Sequence, residues 1–482
     1  MSVLNMMEPK EVFQFFEIIS EIPHPCYHTE KLTKYCINFA HERHLDVSSD
    51  RTGSVIIKKP GTSGYEKSAP IILQGHLDMI CEKSMETVHD FYNDPLKIYV
   101  EDGMIRAEGT SLGADNGFGV AMILAILNSE DIPHPPIEAI LTTDEEKGMG
   151  GARSIDFSNI KGKTLINLDS TREGILTVGC AGAINAQVDI PIKRVIKEGT
   201  IIRIRIYGLK GGHSGTEIHK QKFNAHKMMT SILNKINRKF NIFLVEMNGG
   251  SQDNVISVDT RAEILVKTDE AEKIQEEIKN LINYLQEDLV VEEPDLTFGI
   301  KLYDDSLIDV CDRLSTDKVI AYLNICPNGV IEYSRRMKGT VGTSLNLGVV
   351  ETHSNFIRIR HMVRSMKDLR AEDMVEILEQ CATLVGAKLV INNRYPAWPL
   401  NMNSPIKELL SEVFLEMYGY DPEITAVHAG LECAMFYDKR KDLDCISFGP
   451  DIFDTHSSYE HMDIESAKRC WSYLKAVLKK CK

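Results

Sequence analysis

The chain has 482 residues, and 43% apolar with 26% charged residues is the composition of an ordinary folded protein. Lys and Arg number 55 against 70 Asp and Glu, so the formal net charge is −15. A polyanion would be repelled overall, which argues against nucleic acid as a partner. The eleven cysteines are scattered without a C-x-x-C pair, as is typical of reduced thiols in a cytoplasmic protein.

The first residues also favour a cytoplasmic location. They include acidic side chains where a signal peptide needs a basic start and an apolar run. No apolar run in the sequence approaches the roughly 20 residues that span a bilayer. We therefore expect no membrane partner.

The predicted elements begin with two amphipathic helices, over 8–20 and 29–45, because their apolar residues recur every three or four positions. Short apolar runs then alternate with a helix that is apolar on nearly every side. In chain order these are strand 69–74, helix 117–127, strand 137–143 and strand 163–168. This alternation predicts an α/β fold with a mostly parallel sheet covered by helices.

From about residue 187 the predicted strands become more polar and alternate in character, as half-exposed strands do. Strands within 200–208 and 254–268 precede a charged helix over 269–288. A comparable series recurs over 330–366, followed by a helix over 371–385. The pattern predicts an inserted α+β domain with two similar halves.

After residue 395 the earlier style returns, with helix 404–419, strand 444–450 and helix 465–480. We therefore predict one discontinuous domain, interrupted by an α+β insertion. The predicted ranges are 1–186 and 396–482 for the discontinuous domain and 187–395 for the insertion.

Acidic and histidine residues follow several predicted strands of the discontinuous domain. In open α/β sheets, ligands bind outside the carboxyl ends of the strands, so these side chains are expected at one edge. A single aspartate in such a place is usually a turn or a helix cap, but the joint pattern is harder to dismiss. The candidates are His76, Asp78, Asp115, Glu145, Glu146, Asp169 and His456.

Two histidines with three carboxylates and no cysteine suit a hydrolytic metal site better than a structural zinc site. Five ligands are too many for one open catalytic zinc, but they fit two metals if one carboxylate bridges. A pair of metals ~3.5–4 Å apart can lower the pKa of water and polarise a carbonyl. Because Glu145 and Glu146 are adjacent, one can bind metal while the other moves a proton.

These motifs resemble the zinc aminoacylase- and carboxypeptidase-like metallopeptidases, and within them the Xaa-His dipeptidases. The resemblance covers nearly the whole chain and implies a catalytic domain with an inserted lid domain. It rests on GHLDMI (75–80), GADNGFGVA (113–121), TTDEEKGMGGA (142–152), NLDS (167–170), KGGHSG (210–215) and the distal His456.

The resemblance implies two Zn²⁺ ions per chain, for which Mn²⁺ or Co²⁺ could substitute. One ion would be bound by His76, Asp115 and Asp169. The other would be bound by Asp115, Glu146 and His456, with Asp115 bridging the two.

The resemblance also implies catalytic roles for three further residues. Glu145 would be the general base and acid, and Asp78 would orient His76. His213 would bind the substrate carbonyl or the oxyanion, although a Gly-rich turn with an exposed histidine is the simpler interpretation of that motif.

Substrate contacts and assembly are implied in the same way. Arg364 would bind the C-terminal carboxylate, and Asn254 and Gly430 would also contact substrate. The implied substrates are unblocked dipeptides such as β-alanyl-histidine, and the implied assembly is a homodimer. A tripeptidase, an N-acyl amino-acid deacylase and a non-catalytic metal- or peptide-binding protein remain as alternatives.

Overall fold

The computed structural model describes residues 3–4 and 6–482, so residues 1, 2 and 5 of the predicted catalytic domain lie outside the described part. The helices are α1 (Lys10–Glu21), α2 (Glu30–Glu42), α3 (Ala114–Asn128), α4 (Gly150–Ser154), α5 (Ala225–Lys239), α6 (Ala271–Leu289), α7 (Arg313–Ile325), α8 (Asp368–Leu384), α9 (Pro405–Tyr418), α10 (Glu432–Lys439) and α11 (Ile464–Lys480).

The strands are β1 (Asp46–Ser49), β2 (Val55–Lys59), β3 (Ile71–His76), β4 (Ile98–Glu101), β5 (Met104–Ala107), β6 (Ile137–Thr142), β7 (Thr164–Asn167), β8 (Ile175–Cys180), β9 (Gly182–Pro191), β10 (Arg194–Tyr207), β11 (Gly212–His213), β12 (Phe243–Gly249), β13 (Val255–Ile256), β14 (Thr260–Val266), β15 (Thr297–Leu302), β16 (Ser306–Cys311), β17 (Gly329–Tyr333), β18 (Val341–Thr352), β19 (Phe356–Ser365), β20 (Lys388–Tyr395), β21 (Glu423–Val427), β22 (Asp444–Ser447), β23 (Ile452–Phe453) and β24 (His461–Asp463).

The chain forms two compact units. The first comprises the residues up to Gly179 together with Trp398–Ala426 and Leu431–Lys482. The second comprises Cys180–Ala397 and Val427–Gly430. The division predicted from the sequence, at 186/187 and 395/396, stays a prediction.

The first unit contains an eight-stranded sheet in the order β1-β2-β6-β3-β7-β22-β8-β21. Its centre is parallel: β3 pairs with β6 and β7, and β22 pairs with β7, all in the same direction. Every residue of β3 and β6 is buried, as expected of strands covered on both faces. The predicted mostly parallel sheet is confirmed at this centre, and the carboxyl ends of β3, β6 and β7 therefore meet at one edge.

Helix α3 is the buried helix that the sequence predicts, and it fixes the position of Asp115. Within α3, Asp115 and Asn116 have non-helical φ/ψ angles, −85°/104° and −113°/26°, so the regular helix begins at about Gly117. The ring of Phe118 then packs against Phe13 and Phe16 of α1. The aspartate consequently precedes the helix proper instead of lying on its side.

The second unit is built on a ten-stranded sheet whose main order is β15-β10-β14-β12-β18-β19-β9-β20, with β16 paired to β10 and β17 to β18. It divides into two four-stranded halves with the same strand order. One half is β10, β12, β14 and β15 with α5 and α6; the other is β9, β18, β19 and β20 with α7 and α8. The two similar halves match the sequence pattern, but they are nested: the first half is inserted after β9, the first strand of the second.

In the described part of the chain the eleven cysteines form no disulfide bonds, and most of them are buried. Among residues 3–4 and 6–482, no helix is both long and apolar enough to cross a membrane.

Replacing Phe118 by Ala is expected to lower the free energy of unfolding of the first unit by about 3–5 kcal/mol, because the fully buried ring leaves a cavity between α1 and α3. Urea denaturation followed by tryptophan fluorescence measures this directly, since Trp398 and Trp471 both lie in that unit. Leu415→Ala, on a side chain that is 45% exposed, is the control and should cost less than about 1 kcal/mol. Equal costs would contradict the packing argument.

Candidate metal centre

The sheet edge collects the acidic and histidine residues that the sequence singles out. His76 is the last residue of β3, the Glu145–Glu146 pair follows β6, and Asp169 follows β7. Asp115 enters from the start of α3, and His456 enters from the loop between β23 and β24. All of these residues belong to the first unit.

His76 presents one ring nitrogen to two carboxylates. Its Nδ1 lies 2.9 Å from the main-chain oxygen of Asp78, which can only accept, so Nδ1 carries the hydrogen. Its Nε2 lies 3.2 Å from Asp115 Oδ1 and 3.3 Å from Asp169 Oδ1. The three residues that the sequence predicts as one ligand set, His76, Asp115 and Asp169, therefore lie together, with Nε2 facing the two carboxylates.

A second set shares Asp115. Its other oxygen, Oδ2, lies 3.6 Å from Nε2 of His456, and Oε1 of Glu146 lies 2.9 Å from the same nitrogen. Ligand atoms of His76, Asp115 and Glu146 all lie within 4.8 Å of one another. Asp115 thus has one oxygen facing each histidine, which is the arrangement a bridging carboxylate needs.

The electrostatics of the cluster fit cations. Burial raises the pKa of Glu145 well above 4.5, and the carboxylates of Asp169 and Glu146 add to this effect. Burial would lower the pKa of His76, but the facing carboxylates outweigh it and raise that pKa well above 6.5. Oε1 of Glu146 and Oδ1 of Asp169 are buried without a well-aligned hydrogen-bond donor. Unmatched carboxylate oxygens beside imidazole nitrogens are a donor set for Zn²⁺, Mn²⁺ or Co²⁺.

Asp78 supports the cluster through hydrogen bonds to the main chain next to it. Its carboxylate accepts hydrogen bonds from the main-chain N–H groups of Glu145 and Glu146, at 3.0 and 3.2 Å, and from the Cys26 thiol. The ring of His76, by contrast, is bound mainly through the Asp78 carbonyl, since the nearer carboxylate oxygen is 3.6 Å away. Asp78 therefore orients the glutamate pair as well as the histidine.

Asn116 joins the two strands that carry His76 and Asp169. Its side chain accepts a hydrogen bond from the His76 N–H at 3.2 Å and donates one to the Leu168 carbonyl at 2.6 Å. Gly75 makes room for it, because a Cβ there would lie 2.5 Å from Asn116 Oδ1. This contact was not foreseen from the sequence, where Asn116 is only the residue after a candidate ligand.

The second unit contains the other predicted site residues. Nδ1 of His213 accepts hydrogen bonds from the N–H groups of Gly215 and Thr216, so the neutral ring carries its hydrogen on Nε2. That nitrogen lies 3.4 Å from Nη2 of Arg364, which makes two N–H donors neighbours. An acceptor oxygen placed beside both would satisfy them together.

Arg364 is a buried cation, only 3% exposed. Its Nη1 donates to the Tyr395 hydroxyl at 2.6 Å, while Nε has no hydrogen-bond acceptor. Among the described residues, no carboxylate forms an ion pair with it. Because buried charges are normally paired, this guanidinium is suited to an external anion.

His428 lies close to Arg364 and was not predicted. Its Nε2 is 2.8 Å from the Ser344 hydroxyl, and burial together with the charge of Arg364 lowers its pKa to about 3. The ring is therefore neutral. His428 lies two residues before Gly430, and nothing in the sequence indicates that it is buried beside an arginine.

Asn254 and Gly430 are both partly exposed. The main-chain oxygen of Asn254 accepts a hydrogen bond from Ser214 N at 2.8 Å, which fastens the segment after His213. Gly430 ends the short segment Val427–Gly430 that belongs to the second unit. Neither observation tests whether Asn254 or Gly430 binds substrate, so both roles stay predictions.

A parallel sheet with a carboxylate–imidazole cluster at its carboxyl edge is typical of metal-dependent hydrolases. The chain belongs to peptidase family M20/M25/M40, which residues 72–480 match. The family resemblance stated from the sequence motifs is thereby confirmed, and the chain is a peptide-bond hydrolase.

Two relatives with 38% and 36% identity match nearly the entire chain. A cytosol non-specific dipeptidase of Escherichia coli (strain K12) is 38% identical over 484 residues, covering 99% of both proteins. The crystal structure of an aminoacylhistidine dipeptidase from Vibrio alginolyticus has a TM-score of 0.90 at 36% identity and covers 99% of this chain and 98% of that one. An aminopeptidase PepT from Bacillus cereus ATCC 10987 shares the fold at a TM-score of 0.56 and 16% identity, covering 99% of both chains.

Asp115→Ala is expected to lose metal as well as activity, because the carboxylate faces both histidines. Elemental analysis after equilibration with excess Zn²⁺ and desalting measures the bound metal. Asp144→Asn is the matched control, since that carboxylate lies at the same edge but accepts a hydrogen bond from Tyr27 N instead of joining the cluster. A fully metallated, active Asp115→Ala protein would refute the bridging role.

Proposed function

We propose that this peptidase is a dipeptidase that uses two divalent metal ions and prefers unblocked dipeptides of the Xaa-His type, such as β-alanyl-histidine. The observation that carries the metal count is Asp115, whose two oxygens face two different histidines. The preference for dipeptides is supported by the names of the two full-length relatives, a non-specific dipeptidase and an aminoacylhistidine dipeptidase.

His76, Asp115 and Asp169 would bind one ion, and Asp115, Glu146 and His456 the other. Zinc is the proposed physiological metal, with Mn²⁺ or Co²⁺ as substitutes. When bound, the ions would supply a lowered pKa for water and a polarised peptide carbonyl.

Glu145 is the proposed proton carrier. It would take a proton from the attacking water and deliver it to the leaving amine. Its main chain is fixed by Asp78, while its carboxyl lies in buried surroundings that raise its pKa. A carboxylate with a raised pKa is suited to both steps, because it can accept the proton and then release it.

His213 and Arg364 are the proposed substrate-binding pair of the second unit. Arg364 would bind the C-terminal carboxylate of the dipeptide through its planar fork. The Nε2–H of His213 would donate to the carbonyl oxygen that becomes the oxyanion. Asn254 and Gly430 are proposed as further main-chain or side-chain contacts to the substrate.

A cytoplasmic location and a homodimer complete the proposal. The location is supported by the cytosolic relative in E. coli. The dimer is carried over from the sequence resemblance alone. Sedimentation of the purified protein at several concentrations tests the dimer independently of activity.

The experiment that tests the function is hydrolysis of β-alanyl-histidine before chelation, after chelation and after Zn²⁺ add-back, with amine release as the measurement. The same protein is assayed with alanyl-histidine, other dipeptides, a tripeptide and an N-acetylated amino acid. Activity on dipeptides that chelation removes and Zn²⁺ restores supports the proposal. Faster cleavage of the tripeptide or of the acetylated substrate would instead identify a tripeptidase or a deacylase, and no turnover of any substrate would favour a binding protein.

Glu145→Gln is expected to reduce kcat by a factor of about 10²–10⁴, because the amide cannot carry the proton. Its metal content should stay normal, since Glu145 belongs to neither proposed ligand set. Glu146→Gln, one residue along, is the comparison and should lose metal from the site with His456. Wild-type turnover in Glu145→Gln would exclude the proton-carrier role.

Arg364→Met is expected to lower kcat/KM for free dipeptides by roughly ten- to a hundred-fold, which corresponds to loss of hydrogen bonds to a charged group. The matching dipeptide amides, which lack the carboxylate, should be cleaved equally by wild type and variant. Arg358→Met on the same strand, whose side chain is paired with Asp189, is the control. An equal loss on acids and amides would disprove carboxylate recognition.

A further inference from the structure

Glu460 is a buried glutamate outside the proposed ligand set, with 3% of its surface exposed. Its Oε2 accepts hydrogen bonds from the main-chain N–H groups of Leu112 and Gly113, at 2.9 and 3.1 Å. Its Oε1 accepts two more, from Ala114 at 2.9 Å and Asp115 at 3.3 Å. One carboxylate therefore binds four successive N–H groups of the segment that ends in Asp115.

This segment has few other ways to satisfy those four groups. Asp115 and Asn116 depart from helical angles, and Gly113 has a left-handed φ of +67°. A Cβ at Gly113 would lie 2.9 Å from the Met79 sulfur, so the chain passes close to its neighbours here. Buried N–H groups need acceptors, and Glu460 supplies all four from one side chain.

The position of Glu460 in the sequence gives the contact a second consequence. His456 lies four residues earlier in the same loop, and its Nε2 faces Asp115 and Glu146. Glu460 thus joins the loop of His456 directly to the segment of Asp115, although the two are far apart in the sequence. His456 Nε2 and Asp115 Oδ2, which are 3.6 Å apart, lie on the two segments that Glu460 joins.

We propose that Glu460 is a positioning residue that fixes Asp115 relative to His456 and thereby sets the affinity for the metal ion that these two residues share with Glu146. This inference rests on the metal assignment of the proposed function. Partners that orient metal ligands in this way typically change metal affinity ten- to a hundred-fold when mutated.

Glu460→Gln is the sharpest substitution, because it keeps the size of the side chain but replaces one oxygen by an NH₂ group. That group would face two of the four N–H donors, and the segment would have to move away from the His456 loop. The metal-free variant is titrated with Co²⁺, and binding is followed by absorption. We expect the affinity for Co²⁺ to fall ten- to a hundred-fold in the step assigned to the His456 site. The step assigned to the His76 and Asp169 site should change less than about threefold.

Glu138→Gln is the matched control. Glu138 is also a buried carboxylate, 4% exposed, and it also binds main-chain N–H groups, those of Lys161 and Gly162. It lies on β6 within the same unit but contacts no proposed ligand. A purely structural role for Glu460 predicts that both variants lose stability and that neither step of the Co²⁺ titration weakens selectively.

The outcomes separate this inference from the proposed function. Wild-type protein that binds two Co²⁺ ions and cleaves dipeptides supports the function whatever Glu460→Gln does. Unchanged affinity in both steps, or an equal loss in both, would overturn the role of Glu460. If Glu460→Gln does not fold, Glu460→Asp replaces it: the shorter carboxylate cannot bind all four N–H groups, and the same single step should weaken.

Discussion

Repulsion among carboxylates is the constraint on which the metal centre depends. Asp115, Glu146 and Asp169 lie together at the edge of a buried sheet, and two imidazoles are the nitrogen donors beside them. Buried like charges disfavour ionisation of one another, and burial together with Asp115 keeps the pKa values of Glu146 and Asp169 raised although histidines face them. The surrounding fold must hold the ligands close in order for cations to stabilise them.

Three polar side chains meet this constraint, and each joins separate segments of the chain. Asp78 binds the main chain at Glu145 and Glu146, next to β6. Asn116 links the end of β3 to the end of β7. Glu460 links the loop of His456 to the segment before Asp115. The geometry of the candidate ligands therefore depends on main-chain hydrogen bonds to residues outside the proposed ligand sets.

The sequence predicts the strands and the ligand-bearing edge well, because buried parallel strands are continuous apolar runs and their carboxyl ends must meet. It predicts the supporting contacts poorly. Asn116 and Glu460 have no periodicity or spacing that distinguishes them from surface residues, and their partners are main-chain groups that only the fold brings near. The neutral His428 beside Arg364 is hidden for the same reason, since its burial depends on strands far away in the sequence.

The nesting of the two halves of the antiparallel unit has a consequence for synthesis on the ribosome. Within the described residues, strand β9 pairs only with β19 and β20, which are translated much later. The half formed by β10, β12, β14 and β15 has all of its strands complete by Leu302 and can pair internally before then. Strand β9 cannot form these pairs until β19 and β20 have been translated, and an entire half of the sheet lies between them in the sequence. The order of translation therefore allows the inserted half to form its strand pairs before its host half can form its own.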